Sequence, residues 1–335
     1  MRRATFTWIA LAAGVLAPAI GSAQNSAQSP AQNPPPAAPR PISCVRGGLQ
    51  RAADLYVAAQ QKGDTSDLPL ARGLGYYENA VPVDIEMGLI KKAMKIDHHR
   101  SLLDTSTCQV FVESIVIDKA NPYVLGTRLR VNHDKIAEIE ILWTTTGYWL
   151  FNADAYLKYS SSEDWGPIPA AKRDSRDTLI AAANAYLDAF LEGKIDLVPW
   201  GFPCVRTEGG AYTGKGSPSD SCEVGVPAGV NIANRRFVVD EVIGSVVVYC
   251  TFGAGSPTGG SGSADTHLFR VENGKLRYVH TLTHLLQSAF RGGGGGGGGP
   301  SGGGAQGGGG AQGNQSAPAN PPSTPGAQSP PGTRN

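Results

Sequence analysis

Apolar residues recur at helical spacing in two segments of the chain, 46–62 and 176–192. The apolar positions are Leu49, Ala52, Ala53, Tyr56 and Ala59 in the first segment, and Ile180, Ala183, Leu187 and Phe190 in the second. Spacings of three and four residues place side chains on one face of a helix. Gly63 and Gly193 follow directly, as glycine does at many helix C-termini. The pattern therefore predicts two amphipathic helices.

Long runs rich in β-branched and aromatic residues follow each predicted helix. They are 110–117, 123–131 and 136–145 after the first helix, and 237–252, 267–271 and 276–283 after the second. Tight turns join the last two runs of each set, and the second turn contains Asn273-Gly274, a strong hairpin signal. Because the helix precedes the strands in each half, the pattern predicts an α+β fold rather than an α/β fold.

Short landmarks keep the same order in both halves of the chain. Glu78 falls opposite Glu208, the Arg100/Asp104 pair falls opposite Arg236/Asp240, and Glu140 falls opposite His280. These correspondences predict two tandem copies of one plan. The first module covers residues 44–161 and the second covers 175–290, with a linker at 162–174.

Both ends of the chain differ in composition from this middle part. Residues 1–23 carry two arginines, an apolar stretch at 8–20 and small residues at 21–23, which is typical of a cleavable signal peptide; a buried first helix is the alternative. Residues 24–43 are rich in Pro, Ala and Gln, and residues 291–335 in Gly and Pro. Such segments predict disorder. The expected location is secreted or periplasmic.

The charge balance excludes some classes of partner. Removing residues 1–23 removes two arginines and no acidic residue, so the formal net charge moves from +1 to −1. A near-neutral chain gives no electrostatic basis for binding nucleic acid or an anionic membrane. Beyond the N-terminus, no apolar run reaches the roughly 20 residues of a membrane-spanning helix. We expect a small organic molecule as the partner.

Five cysteines remain after residue 23, so at least one has no partner within the chain. An oxidising compartment makes disulfides plausible. Cys44 precedes the first helix and Cys108 opens the first long strand, while Cys204 and Cys222 flank a Gly/Ser-rich loop. We predict the bridges Cys44–Cys108 and Cys204–Cys222, with Cys250 free, although other connectivities stay open. The sequence has no C-x-x-C motif or Cys/His cluster, so neither a metal nor a cofactor is expected.

Several short phrases are similar to those of a known superfamily. Segments 204–210 and 77–79 are similar to its R-x-E-N-G stretch, and further phrases lie at 95–98, 163–165, 208–214, 234–236 and 276–283. Over about residues 44–285 the chain resembles the nuclear transport factor two-like superfamily, which includes the SnoaL-like polyketide cyclases. Secreted fungal and bacterial proteins with two such modules are the most similar.

This resemblance implies a particular shape for each module. A strongly curved antiparallel sheet would wrap around the N-terminal helices and close a cone with an internal pocket. The two modules would pack as a pseudo-dimer within a monomeric chain. The superfamily includes cyclases, isomerases, dehydratases, epoxide hydrolases and binding modules, so the resemblance implies no single reaction.

Candidate catalytic residues cluster in the second module. Strand periodicity puts His280 among apolar neighbours on one face, where it could act as a general base oriented by Asp240. Arg206 and Glu208 share a face, and Arg206 could stabilise an enolate or bind a carboxylate. A core histidine and structural ion pairs, Arg100 with Asp104 and Arg236 with Asp240, are the alternatives.

The predicted ligand-binding residues are Tyr212, Arg236, Tyr278, Glu78 and Glu140. Glu140, like Glu113, interrupts an apolar strand pattern and either lines a pocket or faces solvent. Three hypotheses follow. The first is a cofactor-free lyase, isomerase or cyclase that uses acid/base residues of the second module. The second is a non-catalytic ligand-binding module, and the third is a structural envelope protein.

Overall fold

Two six-stranded sheets, each with one long helix packed on it, form the part of the chain that the computed structural model describes, residues 41–223, 225–255 and 262–287. The first module comprises α1 (Arg46–Lys62), β1 (Leu70–Glu78), β2 (Val81–Pro82), β3 (His98–Asp104), β4 (Gln109–Val116), β5 (Tyr123–Asn132), β6 (Lys135–Thr144) and α2 (Ala153–Ser160). The second comprises α3 (Arg176–Glu192), β7 (Trp200–Glu208), β8 (Ala211–Tyr212), β9 (Ile232–Asp240), β10 (Ser245–Phe252), β11 (Ser263–Glu272) and β12 (Lys275–Thr283). The predicted signal peptide, nearly all of the Pro-rich segment and the Gly-rich tail lie outside the described residues.

The two sheets have the same strand order, which confirms the α+β class and the tandem plan. The orders are β2-β1-β6-β5-β4-β3 and β8-β7-β12-β11-β10-β9. The predicted run 237–252 is two strands, β9 and β10, because the chain turns at Glu241–Gly244. The first long strand of each module pairs in parallel with the last, so the sheets are not purely antiparallel.

Each long helix buries one face against its own sheet. In α1 the buried positions include Leu49, Ala52, Ala53 and Tyr56. In α3 the equivalent face carries Leu179, Ala183, Tyr186, Leu187 and Phe190. Burying a leucine or phenylalanine side chain stabilises the folded state by about 1.5–3 kcal/mol, so each module has its own core. Both helices end as predicted, at Gly63 and Gly193 in the left-handed conformation.

A third apolar cluster joins the modules through the faces of the sheets that point away from α1 and α3. Its members include Phe111, Ile115, Leu142 and Tyr156 from the first module, and Val238, Val247, Tyr249 and Leu268 from the second. The rings of Phe111 and Tyr249 meet edge to face with centroids 6.2 Å apart. The two modules therefore share this third cluster in addition to their own cores.

Both predicted disulfide bridges are confirmed. Cys44–Cys108 ties the segment before α1 to the β3–β4 turn, and Cys204–Cys222 ties β7 to the following loop. A bridge that closes a loop of this second length contributes roughly 3 kcal/mol in the chain-entropy model. Cys250 is free and buried, as expected.

Within the described ranges, no helix has the length and apolar character needed to cross a membrane.

Candidate functional site

His280 lies in a buried cluster of charged residues where the two modules meet. Its Nδ1 is 3.0 Å from Glu113 Oε1 of β4, and its Nε2 is 2.7 Å from Glu163 Oε2 of the linker. Arg100 of β3 forms a salt bridge of 2.9 Å with Glu113 Oε2, and Tyr156 of α2 donates to Glu113 Oε1 at 2.8 Å. Two cations therefore alternate with two carboxylates, and none of the four side chains is more than 10% exposed.

The charges in this cluster hold each other ionised. Burial disfavours the charged imidazole, but Glu163 and Glu113 outweigh burial and raise the pKa of His280 to about 9. Burial equally disfavours the ionised carboxyl, but His280 and Arg100 outweigh it and lower the pKa of Glu113 to about 2. With both ring nitrogens bound to carboxylates, His280 is an imidazolium at neutral pH. A general base must be neutral to accept a proton.

The predicted partnership of His280 with Asp240 is not formed. Asp240 lies at the end of β9, where its Oδ2 accepts from the backbone N–H of Leu103 at 2.9 Å and its Oδ1 from Arg46 at 2.7 Å. The predicted pairing of Asp240 with Arg236 is also wrong. Period-two alternation places both residues on one face, but the strand is too extended for residues four apart to touch.

Asp104 of the first module makes the equivalent contacts to the second module. Asp104 Oδ2 accepts from the backbone N–H of Val239 at 3.0 Å, and its Oδ1 accepts from Arg176 at 2.8 Å. Asp104, paired from sequence with Arg100, thus binds the opposite module instead. Each aspartate binds the strand end of one module and the arginine that opens a helix there, so the contacts around β3 and β9 are reciprocal.

Arg236 and Glu140 form a second charge cluster between the modules, in which Glu140 is buried and the Arg236 side chain is about half exposed. Arg236 binds Glu140 through two bonds of 2.5 and 2.6 Å, and Arg128 binds it at 2.9 Å. The arginines outweigh burial and lower the pKa of Glu140. Arg236 pairs with Tyr249 across β9 and β10 as Arg100 pairs with Glu113 across β3 and β4. The two clusters thus occupy equivalent places in the two modules but consist of different side chains.

Arg206 and Glu208 do meet, as their spacing predicts, on the helix-facing side of the second sheet. Their side chains are 3.3 Å apart, Arg206 also donates to Tyr186 of α3 at 3.3 Å, and Trp149 donates to Glu208 at 2.7 Å. The two glycines after Glu208 have positive φ, and a Cβ on Gly209 would lie 2.5 Å from the Trp149 carbonyl. Glycine there permits Trp149 to reach Glu208.

Glu78 occupies the equivalent position in the first module but makes different contacts. It accepts from Tyr76 at 2.7 Å, from the backbone N–H of Leu89, and from Trp143 at 3.2 Å. These bonds link β1, β6 and the segment before β3. Glu78 is therefore positioned by its own module as a structural acceptor.

Tyr212 and Tyr278 line a groove of about 440 Å³ on the second module. The groove lies between β7, β12, the 212–220 loop and the start of the linker, and Glu163, Val205 and Arg277 also line it. Tyr212 stacks on Tyr159 with centroids 3.9 Å apart, and Tyr278 stacks on Trp165 at 5.5 Å. Of the predicted ligand-binding residues, these two tyrosines share one groove, while Arg236, Glu140 and Glu78 lie elsewhere.

Glu163 connects this groove to the buried charge cluster. The residue lines the groove, while its Oε2 accepts from His280 and from Trp165 at 2.8 Å. Sequence reasoning placed it in the linker and gave it no role. Trp165, two residues further on, was the available signal, since a large aromatic side chain in a linker indicates packing against a neighbouring surface, but no pattern specified the partner of Glu163 on β12.

Three buried polar residues on β10 and β11 were also missed. Cys250, Asp265 and His267 lie close together on the helix-facing side of the second sheet. Burial raises the pKa of the Cys250 thiol well above its ordinary value. The alternation Asp265-Thr266-His267 placed both side chains on one face, but only strand pairing brings Cys250 beside them.

The chain is thus a two-module α+β protein with a groove on its second module. Residues 172–283 match the model of a family described as Domain of unknown function (DUF8021). The matched segment runs from just before α3 to the end of β12. Comparison with curated proteins finds no match.

Proposed function

We propose that this protein is exported and that its second module binds a small cyclic organic anion in the groove between β12, the 212–220 loop and the linker. The observation that carries the proposal is the groove itself, because it brings two tyrosines and a guanidinium together in about 440 Å³. Ligand pockets for small molecules typically occupy about 300–1,000 Å³ and combine aromatic walls with a few polar groups.

The aromatic side chains of the groove are held rigidly. Trp165 supports Tyr278 from one side, and the Arg277 guanidinium lies 4.3 Å from the Tyr278 ring. Gly214 leaves room for the Tyr212 ring, since a Cβ there would lie 2.5 Å from the ring. Side chains fixed in this way lose little conformational entropy on binding, which favours contact with a rigid ligand.

Arg277 supplies the charge that selects an anion. Asp220 is the other charged groove residue besides Glu163, and its Oδ2 already accepts three backbone N–H groups, from residues 215, 216 and 217. Glu163 is balanced by the His280 imidazolium. Arg277 has one described hydrogen bond, from Nη1 to the Pro203 carbonyl at 3.0 Å, and a guanidinium has five N–H donors. A ligand carboxylate therefore meets a guanidinium with unused N–H donors, while the negative charge of Asp220 is already stabilised by backbone N–H groups.

The test compares small molecules retained by the folded protein with those retained after heat denaturation. The full chain, expressed for export, is incubated with a concentrated metabolite extract and the retained species are identified by mass spectrometry. Arg277→Gln should weaken binding of the retained anion about tenfold or more, because a hydrogen bond to a charged group contributes about 1.5–3 kcal/mol. Tyr212→Ala should weaken it as well.

The matched control is Arg130→Gln, which removes a half-exposed arginine of the first module. It should leave binding unchanged. Retention of the same molecule by the Arg277→Gln variant at wild-type affinity would contradict the proposal. Equal weakening by Arg277→Gln and Arg130→Gln would also contradict it, because both variants remove one positive charge.

Acid/base catalysis in the same groove, as in a cofactor-free lyase, isomerase or cyclase, is the second candidate. Glu163 favours it, because this residue lines the groove, a histidine orients its buried carboxylate, and its Oε1 has no hydrogen-bond partner within the described ranges. The same incubation separates the two functions. A molecule that is consumed while another appears indicates catalysis, and a molecule that returns unchanged indicates binding.

We further propose that the modules are SnoaL-like cones packed as an internal pseudo-dimer, and that the chain is a monomer. The shared apolar cluster and the reciprocal contacts of Asp104 and Asp240 support the pseudo-dimer. Export, to the periplasm or the cell exterior, is supported by the sequence of residues 1–23 and by the two disulfides.

A further inference from the structure

Cys250, Asp265 and His267 place three metal-binding atoms close together inside the second module. Cys250 Sγ is 3.3 Å from Asp265 Oδ2, His267 Nδ1 is 2.8 Å from the same oxygen, and the sulfur and the nitrogen are 4.0 Å apart. All three residues are buried. The distances define a small triangle of one sulfur, one nitrogen and one oxygen.

This triangle has the dimensions of one face of a tetrahedral zinc site. With Zn–S of about 2.3 Å and Zn–N or Zn–O of about 2.0–2.1 Å, tetrahedral angles put the ligand atoms roughly 3.3–3.6 Å from one another. The observed separations lie on both sides of that range. Shifts of about half an ångström in the side chains would bring all three atoms to an ion above the triangle.

The arrangement of the ring rules out a simpler reading as a catalytic triad. In such a triad the carboxylate and the nucleophile bind opposite nitrogens of the imidazole. Here Asp265 and Cys250 both lie on the Nδ1 side of His267. Convergence of two ligand atoms on one ring nitrogen is the arrangement that coordination of a shared ion requires.

The fold itself does not require these three side chains. The strand registers relate Cys250, Asp265 and His267 to Ser114, Leu125 and Thr127 of the first module, since Ser114 pairs with Leu125 as Cys250 pairs with Asp265. The first module thus builds the same strand pair without them. Placing an acid, an imidazole and a thiol in a core costs free energy unless they are paired or bind a metal.

The surroundings of the three residues match those of protein metal sites. Thr283 of β12 donates to Asp265 Oδ1 at 2.8 Å, which leaves Oδ2 directed at the other two ligands. The ring of His267 lies against Tyr186, Phe190 and Phe269, with centroids 5.7–6.0 Å away. A second-shell hydrogen bond and an apolar enclosure are both regular features of metal centres.

We propose that Cys250, Asp265 and His267 bind a divalent transition metal ion of the zinc class in the second module. Thiolate, imidazole and carboxylate together are a ligand set typical of zinc. Binding would release the thiol proton to solvent, with Cys250 coordinating as thiolate and His267 as the neutral tautomer that carries its proton on Nε2. A water or ligand atom would complete the fourth position. The proposal does not depend on the groove.

The first test measures metal content and uptake. The full chain is purified after export, its zinc is quantified by elemental mass spectrometry, and the stripped protein is titrated with Zn²⁺ and with Co²⁺. We expect close to one equivalent, a rise in Tm with Zn²⁺, and a thiolate-to-cobalt charge-transfer band with Co²⁺. A wild-type protein that takes up neither ion would overturn the proposal.

Variants then identify the ligands. Cys250→Ser should abolish the charge-transfer band, and His267→Gln should abolish stoichiometric binding. Thr283→Val preserves shape and should lower the affinity about 10- to 100-fold, which keeps the test decisive where a core variant fails to fold. His99→Gln, which replaces an exposed histidine on β3, is the matched control and should bind normally. An ion retained at full affinity by the Cys250→Ser and His267→Gln variants lies elsewhere, and this outcome also overturns the proposal.

Discussion

Replacing His280 with glutamine should lower the free energy of unfolding by about 3–5 kcal/mol, the range observed when one partner of a buried ion pair is removed. Glutamine keeps hydrogen-bonding capacity but carries no charge. Glu113 and Glu163 would then face each other across the former imidazole position with only Arg100 to offset two buried carboxylates. Urea unfolding at neutral pH measures the loss.

The pH dependence of stability provides an independent reading of the same cluster. His280 has a pKa of about 9 in the folded chain against an ordinary value of 6.5, so its contribution is complete below pH 6.5 and declines as the pH rises towards 9. Glu113 has a pKa of about 2 against 4.5, so its contribution is complete above pH 4.5 and declines as the pH falls towards 2. We expect maximal stability between pH 4.5 and 6.5.

Two variants distinguish the titration of His280 from that of other groups in the protein. His280→Gln should remove the loss of stability between pH 6.5 and 9, whereas His99→Gln, at an exposed position of β3, should retain it. The pKa shift of His280 corresponds to roughly 3 kcal/mol of stability. The shifts of His280 and Glu113 both arise from the contact between these two residues, so their free energies are not added. A wild-type profile that is flat from pH 6.5 to 9 would show that His280 is not an imidazolium.

Replacing Asp104 or Asp240 with asparagine should each lower the free energy of unfolding by about 2–3 kcal/mol. Each carboxylate is almost fully buried and accepts charge-assisted bonds from an arginine and from backbone N–H groups of the other module. Hydrogen bonds to charged groups contribute about 1.5–3 kcal/mol, and an amide cannot satisfy the same set of donors.

Combining the two substitutions tests whether they stabilise one interface. Because both bonds hold β3 against β9, the double variant should lose less than the sum of the single losses. Asp134→Asn, in an exposed turn of the first module, is the control and should change stability little. Strict additivity would mean that the two aspartates act independently.

The sequence was sufficient for the two long helices, most of the long strands and both disulfides, because these depend on local periodicity and on order along the chain. The stripe ending at Gly63 and the Asn273-Gly274 hairpin are examples. The sequence did not predict the short helix α2, and it was insufficient to predict which side chains pair across the interface between the modules. Arg100 and Asp104 are neighbours on one strand, yet one binds Glu113 and the other binds Arg176. Period-two alternation indicates a shared face but not which element covers it.

The candidate site was predicted only in part for the same reason. Tyr278 and His280 do share a face of β12, with Tyr278 lining the groove and His280 buried behind it, but the neighbours of His280 are charged rather than apolar. The missing element was the linker, which folds back so that Glu163 and Trp165 cover that face. The linker, residues 162–174, is distant from β12 in the sequence and carries no periodic pattern that would reveal this contact.

The reciprocal bonds of Asp104 and Asp240 have a consequence for how such a chain can change over generations. In an assembly of two identical chains, every substitution at the shared surface occurs twice, so a histidine that suits one cluster is imposed on the other. Joining both halves in one gene removes that coupling. Glu140 can then remain an anion between Arg128 and Arg236 while its counterpart His280 is a cation between two carboxylates. One module can therefore acquire a ligand site while the other module keeps the residues that stabilise the fold.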